Sequence, residues 1–157
     1  MRTLLIAALL VAGCGKVDKA AVMDDITAKL KEKGLDHVTV VCPDPPSTEA
    51  GTTFTCTGTN KDDGRPFTIT AKVQDGGKNV TWQLVGKILT PATLGPNIEP
   101  TMTAKLGKPA KLACTGKPII LAPGDSITCP VTIETEQLHA KLSIAANGDD
   151  VNWEIVQ

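Results

Sequence analysis

Residues 69–85 read ITAKVQDGGKNVTWQLV, and residues 140–156 read AKLSIAANGDDVNWEIV. At an offset of 71 residues, the alternating apolar positions, a glycine-containing turn and a single tryptophan coincide in the two stretches. Alternation of apolar and polar residues on both sides of such a turn is typical of a β-hairpin with one buried face. The sequence therefore predicts one small module that is used twice.

Upstream of each hairpin, a cysteine, a glycine and a second cysteine recur in the same order. They are Cys42, Gly51 and Cys56 in the first copy, and Cys114, Gly124 and Cys129 in the second. Four cysteines allow three pairings, and the repeat favours one bridge within each copy, Cys42–Cys56 and Cys114–Cys129. Each closes a loop of about 15 residues and stabilises the fold by about 3 kcal/mol. A metal site is the alternative, but no Cys-x-x-Cys pair is present, so we predict no metal and no cofactor.

Periodicity predicts a helix and four strands in each copy. Val22, Met23, Ile26 and Leu30 recur at helical spacing, which predicts an amphipathic helix over residues 16–33 with Gly34 as its C-cap. Strands are predicted near residues 38–41, 52–59, 67–74 and 80–84, then near 110–115, 126–135, 138–146 and 151–156, with a further short strand possible at 119–121. In the second copy we expect a short helix around residues 103–106, because Pro100 limits it upstream and Gly107 and Pro109 limit it downstream.

The predicted fold class is α+β: a tandem repeat of a helix followed by a four-stranded antiparallel sheet, of the cystatin-like or tandem αβ4 type, with one disulfide per repeat. The expected organisation is a signal peptide at 1–13, a first module at 14–86, a proline-containing linker at 87–97 and a second module at 98–157. The sequence is compatible with one merged sheet and with two separate sheets, and it does not specify an oligomer.

The first 14 residues predict export. Arg2 precedes an uncharged apolar run at residues 4–12, which is too short to span a bilayer. The run ends in Leu-Val-Ala-Gly-Cys at residues 10–14, which matches the bacterial lipobox and implies cleavage before Cys14 and diacylglyceryl attachment to its sulfur. Several acyl chains would anchor the protein to the membrane, and Gly15 after the cysteine favours the outer membrane of a Gram-negative cell. The alternative is an ordinary secretory signal with a chance cysteine.

The pattern of Val-Cys-Pro at 41–43, Gly51, Cys56, Asp-Gly at 75–76 and Trp82 resembles an uncharacterised family of bacterial lipoprotein domains, a domain of unknown function. The resemblance covers most of residues 16–86 and, more loosely, 98–157, where Thr115 stands in the place of the proline. It implies no catalytic residues, because the family carries no assigned activity. The tandem αβ4 plan is also similar to secreted inhibitors of β-lactamases, a likeness of fold alone.

Chemistry-bearing residues are few. The chain has no nucleophile elbow, P-loop or zinc-protease motif, so we predict that it is not an enzyme. His37 and His139 are interpreted as surface histidines without a nucleophile in reach. Four carboxylates in predicted turns are interpreted as solvated turn residues and not as a calcium loop. They are Asp62, Asp63, Asp149 and Asp150. With 16 basic and 17 acidic residues the charge is balanced, which argues against nucleic acid as a partner.

Two features are candidates for contact with a partner. Trp82 and Trp153 either pack in the core, which their register with neighbouring apolar residues favours, or act as contact anchors. A loop stiffened by Pro43, Pro45 and Pro46 is a possible contact surface, with a plain rigid connection as the alternative. The sequence thus predicts a membrane-anchored, non-catalytic envelope lipoprotein that binds a protein or peptide. An inhibitor of a secreted hydrolase and a structural spacer are the alternatives.

Overall fold

The first helix, α1 (Lys19–Glu32), begins where Asp18 accepts hydrogen bonds from the backbone N–H groups of Ala20 and Ala21, both at 3.1 Å. This arrangement satisfies two of the donors that a helix N-terminus leaves free. The computed structural model describes residues 16–114, 116–148 and 150–156. One face of α1, as its spacing predicted, is buried through Val22, Ile26 and Leu30.

The buried face of α1 packs on the first sheet, whose strands lie in the order β1 (Val38–Val41), β2 (Thr53–Asn60), β3 (Pro66–Gln74) and β4 (Asn79–Val85). Neighbouring strands are antiparallel. In β2 and β3 buried and outward residues alternate, as a half-buried sheet requires. The 3₁₀ turn Asp75–Gly77 connects β3 to β4.

The second sheet has the order β10 (Val151–Val156), β9 (Glu136–Ile144), β8 (Ser126–Ile133) and β6 (Ala110–Leu112), and it too is antiparallel. Its inward residues form a second cluster with α2 (Pro91–Leu106). The predicted α+β class is therefore correct: two helices pack on antiparallel sheets. Among the described residues, no helix is long and apolar enough to cross a membrane.

The expectation of a short second helix is wrong, because α2 has 16 residues and contains both Pro96 and Pro100. An interior proline costs a helix about 3 kcal/mol, but the helix buries Leu94, Ile98 and Met102 at i, i+4 and i+8 against the second sheet. Burial of each such side chain contributes about 1.5–3 kcal/mol. Tertiary packing therefore outweighs local propensity here.

Residues 87–97, expected to form a linker, carry regular structure: the strand β5 (Lys87–Leu89) and the first turns of α2. β5 pairs with β7 (Ile119–Leu121), the short strand whose existence the sequence left open. Ile120 is buried in the first cluster and Leu121 in the second, because successive residues of a strand point to opposite faces. The β5–β7 ribbon thus lies between the two cores and belongs to both, while the two four-stranded sheets stay separate.

Both predicted disulfides are present. Cys42 is bonded to Cys56 and Cys114 to Cys129, across 14 and 15 residues. Three of the four cysteines are buried, and Cys114 packs at the margin of the second cluster. Each bridge ties a cysteine one or two residues beyond an edge strand, β1 or β6, to the middle of the neighbouring strand.

The two cores differ in the sizes of one pair of facing residues. In the first sheet Gly58 lies opposite Phe67, whose ring occupies the space that a side chain at Gly58 would need. In the second sheet the corresponding pair is Val131 and Leu138. A very small and a large residue are thus exchanged for two of intermediate size, which keeps the number of side-chain carbon atoms the same.

Candidate functional site

The outward face of the first sheet is covered by threonines. Strand residues that point away from α1 include eight of them, seven exposed and one half-buried: Thr39, Thr53, Thr55, Thr57, Thr59, Thr68, Thr70 and Thr81. We call this surface the threonine face. Lys72 is the single charged residue that β1–β4 turn outward, and Val41, 65% exposed, adds an apolar patch at the edge.

The strand register places these threonines side by side. Thr55 lies opposite Thr70 and Thr57 opposite Thr68, while Thr39 on the edge strand lies opposite Thr59. Neighbouring strands are about 4.8 Å apart, so the hydroxyl and methyl groups form regular rows. The face is therefore a continuous array of hydroxyl and methyl groups that is uncharged apart from Lys72.

The second sheet shows that this composition is not imposed by the fold. Its outward residues include Lys111, His139 and an ion pair between Lys141 and Glu154 at 3.1 Å. It turns only two threonines outward, Thr128 and Thr132. Because β-propensity acts equally on both sheets, it does not by itself explain why one outer face is a threonine array and the other is charged.

Part of the threonine face is a shallow depression of about 340 Å³, whose lining includes Thr53, Thr70, Lys72, Thr81 and Gln83. The Thr81 hydroxyl accepts a hydrogen bond from Gln74 Nε2 at 3.2 Å. The hydroxyls of Thr70 in this depression and of Thr55 and Thr57 elsewhere on the face make no hydrogen bond to another described residue. These groups are therefore available to a ligand as donors and acceptors.

Trp82 and Trp153 lie on the opposite, inward side of the edge strands β4 and β10. Both are half-buried and pack against the two core clusters, as their register favoured. Trp82 Nε1 donates a hydrogen bond to Asp25 Oδ2 on α1 at 2.8 Å. The ring of Trp153 instead lies 5.1 Å from the Lys105 ammonium on α2, a cation–π contact. Each tryptophan thus joins an edge strand to its helix.

The proline loop follows β1. Pro43 and Pro46 are exposed and Pro45 is half-buried, so the residues of the possible contact surface remain accessible. Lys19 at the start of α1 holds Asp44 in an ion pair at 2.9 Å. Further along, Gly51 N–H donates to the Val73 carbonyl at 2.9 Å, which ties the end of the loop to β3.

Asp62 forms a cluster that sequence reasoning missed. Its Oδ1 accepts a hydrogen bond from Lys117 Nζ at 2.6 Å and lies 3.1 Å from His37 Nδ1. The hydrogen bond from Lys117, helped by His37 and opposed by desolvation, lowers the pKa of Asp62. Lys117 is 55 residues away and comes from the second half of the chain, so no local pattern announces the contact. The cluster joins the two halves, and His37 itself is exposed as predicted.

The other chemistry-bearing residues are dispersed. His139 and Asp150 are exposed, and Asp63 lies beside Arg65 at 3.7 Å. No group of three or more His, Cys, Asp and Glu residues suited to a metal ion occurs in the described part of the chain. Cys14, the predicted lipidation site, and Asp149 lie outside the described residues.

Asn60, at the end of β2, is a buried polar residue at 0% exposure. Its Oδ1 accepts the Asp62 N–H at 3.1 Å and so holds the turn that presents Asp62. Its Nδ2 has no partner among the described residues. The side chain therefore serves the turn and does not face either of the surfaces above.

Comparison with known proteins finds one family match, over part of the chain. Residues 4–77 match the family described as Domain of unknown function (DUF4333). The match takes in the N-terminal apolar stretch, α1 and β1–β3 with the Cys42–Cys56 bridge, and it ends before β4 and Trp82. No curated protein and no solved structure matches the chain. The predicted resemblance to a domain of unknown function is thus confirmed for the first half.

Proposed function

We propose that this protein is an exported lipoprotein, anchored to the cell envelope through an acylated Cys14, that binds a protein or peptide partner through its threonine face and is not a catalyst. The observation that carries the proposal is the difference between the two outer sheet faces. One is a threonine array with a single charged residue, and the other carries Lys111, His139 and the Lys141–Glu154 ion pair.

The chemistry of the threonine face fits a protein interface. The centres of such interfaces are depleted of charged residues. Threonine is β-branched and stiff at χ1, so its ordering on binding costs little side-chain entropy. Hydroxyls without an internal partner can form hydrogen bonds to the partner, while the methyl groups bury apolar area.

The anchoring part of the proposal draws on the N-terminal sequence. An uncharged apolar stretch ends in Leu-Val-Ala-Gly-Cys at residues 10–14, and the family match begins within this stretch, at residue 4. Removal of residues 1–13 would make Cys14 the new N-terminus, with acyl chains on one residue strong enough for stable anchoring. The protein would then face the outside of the membrane, at the outer membrane in a Gram-negative cell.

We further propose that the chain is a tandem repeat of one αβ4 module, at residues 14–86 and 98–157. Equivalent backbone hydrogen bonds support this. Gly51 N–H donates to the Val73 carbonyl at 2.9 Å, and Gly124 N–H donates to the Ile144 carbonyl at 3.0 Å. Within this repeat, residues 87–97 connect the modules through β5 and the first turns of α2.

The test exchanges outer-face residues between the two sheets. Thr70 and Gln83 are opposite each other in the first sheet, and Lys141 and Glu154 are opposite each other in the second. The double variant Thr70→Lys/Gln83→Glu therefore gives the first sheet the Lys–Glu pair that the second sheet already has. The reciprocal variant Lys141→Thr/Glu154→Gln is the matched control.

Each variant would be expressed with its anchor, cross-linked in intact cells and purified, and the captured proteins would be identified by mass spectrometry. We expect one stoichiometric partner for the parent and for the control, and at least about a tenfold loss of capture for the first-sheet variant, which corresponds to about 1.4 kcal/mol. Capture that is equal in all three proteins would refute the threonine face as the binding surface. A hydrolase as the captured partner would instead favour the inhibitor function, and no partner at all would favour a spacer.

A further inference from the structure

The end of the first sheet at which α1 begins is formed by three segments, which we call the tether end: residues 16–19, residues 43–52 and the turn at residues 75–78. Lys16 and Asp18 line one groove of about 320 Å³ together with Lys78 and Asn79. The Lys19–Asp44 ion pair brings the proline loop to the same end.

The proposed acylation site is two residues from this end in the sequence. Val17 is only 8% exposed and belongs to the first core cluster. Between Cys14 and Lys16 there is a single residue, so their Cα atoms are at most about 7–8 Å apart. Acyl chains on Cys14 would therefore hold the tether end next to the bilayer, because only Gly15 separates Cys14 from Lys16.

The opposite end of the first sheet is already occupied by the second half of the chain. Lys117 binds Asp62 at this end, and a methyl group built on Gly34 would lie 3.0 Å from Pro118 Cγ. Ile120 from the same segment is buried in the first cluster. The second half therefore lies on the side of the first sheet away from the tether end.

The proline loop also differs from its counterpart in the second half. That counterpart, between Cys114 and Cys129, contains Pro-Ile-Ile-Leu at residues 118–121 and is the segment that docks on the first half. Residues 43–51 instead read PDPPSTEAG, without a large aliphatic residue. A loop of prolines and polar residues suits a polar surface better than a protein core.

The charges of the tether end are mixed. Three lysines and four carboxylates lie on it: Lys16, Lys19, Lys78, Asp18, Asp44, Glu49 and Asp75. This near balance favours a zwitterionic surface over a strongly anionic one, because an anionic surface would attract a basic patch.

We propose that the tether end rests on the zwitterionic headgroups of the membrane, so that the strands of the first sheet rise from the bilayer and the second half is the distal part. The inference rests on the proposed acylation of Cys14. Strand β3 has nine residues and is about 30 Å long. The threonine face would then be open sideways to a partner in the envelope, and the proline loop would contact lipid headgroups and not a soluble partner.

The experiment places a tryptophan at either end of the molecule. Ala50→Trp puts one in the exposed turn at the tether end, and Thr135→Trp puts one in the exposed β8–β9 turn at the far end of the second sheet. Each acylated protein would be reconstituted in phosphatidylcholine vesicles that carry a nitroxide on the headgroup. The quenching of the added fluorescence would be measured relative to the parent, which keeps its two native tryptophans.

We expect quenching of the Ala50→Trp probe to exceed that of the Thr135→Trp probe by about twofold or more, since residue 50 belongs to the tether end and residue 135 to a turn of the second sheet. Equal quenching, or stronger quenching at residue 135, would overturn the orientation. Vesicle flotation and the mass of the N-terminal peptide are measured on the same samples. A protein that does not float and has no acyl mass on Cys14 contradicts the lipoprotein proposal itself, whereas an acylated, floating protein with the wrong quenching contradicts only the orientation.

Discussion

The first sheet has Gly58 opposite Phe67 where the second sheet has Val131 opposite Leu138. This difference yields a prediction about the stability of the first core. Phe67 is 3% exposed, and its ring lies over Gly58 so closely that any Cβ there overlaps it. The variant Gly58→Val must therefore push the ring out of its place. Loss of the buried aromatic side chain and local overpacking together cost about 3 kcal/mol.

Phe67→Leu by itself replaces the ring with a smaller side chain and leaves a small void over Gly58, at a cost of about 1 kcal/mol. The double variant Gly58→Val/Phe67→Leu reproduces the pair that the second sheet already packs. The added valine fills the space that the ring vacates and also suits a strand better than glycine. We expect the double variant to be within about 1 kcal/mol of the parent, which corresponds to a favourable coupling of about 3 kcal/mol between the two sites.

The assay is equilibrium urea unfolding of residues 16–157 with both disulfides intact, followed by the fluorescence of Trp82 in a Trp153→Phe background so that the first core is observed alone. The free energies of unfolding of the four proteins form a double-mutant cycle. If the two single losses simply add in the double variant, then the volumes are not exchanged between these positions, and the reasoning from the second sheet is refuted.

Three further predictions concern single contacts. Asp62→Asn should reduce the loss of stability that the parent shows below about pH 4. The pKa of Asp62 is lowered in the folded state, so its contribution to stability is complete above the unfolded pKa and is lost as the pH falls through the folded pKa. Parallel pH profiles of the free energy of unfolding for parent and variant would contradict this. Trp82→Phe removes the hydrogen bond to Asp25 and should reduce the free energy of unfolding by about 1 kcal/mol, measured by urea unfolding followed by circular dichroism, while an unchanged value would mean that water replaces the bond at no cost. Replacing both Cys114 and Cys129 by serine should cost about 3 kcal/mol in the same measurement, and a loss well under 1 kcal/mol would show that the second core does not depend on its bridge.

Local patterns were sufficient for much of this protein. Period-two alternation predicted β2, β3 and the two hairpins, and the helical spacing of Val22, Ile26 and Leu30 predicted α1. The order of the cysteines predicted both disulfides. They succeed because the information is contained in a few neighbouring residues: a pattern of side chains with the period of a strand or a helix has one way to bury its apolar members.

The sequence did not reveal features that depend on distant residues. Pro100 argued against a long α2, and only the burial of Leu94, Ile98 and Met102 on the second sheet shows why the helix forms. The threonines were visible as letters, but they become one surface only when the register of four strands is known.

By itself, then, the sequence determined an α+β chain with alternating strands, an N-terminal helix, two local disulfides and a lipobox-like N-terminus, because each of these follows from residues close together in the chain. The tertiary structure decided that β5 and β7 form a ribbon between the cores, that Lys117 reaches Asp62 across 55 residues, and that the threonines of four strands share one face. Such contacts depend on which distant segments exclude water together, and nothing in a short stretch of sequence specifies that choice.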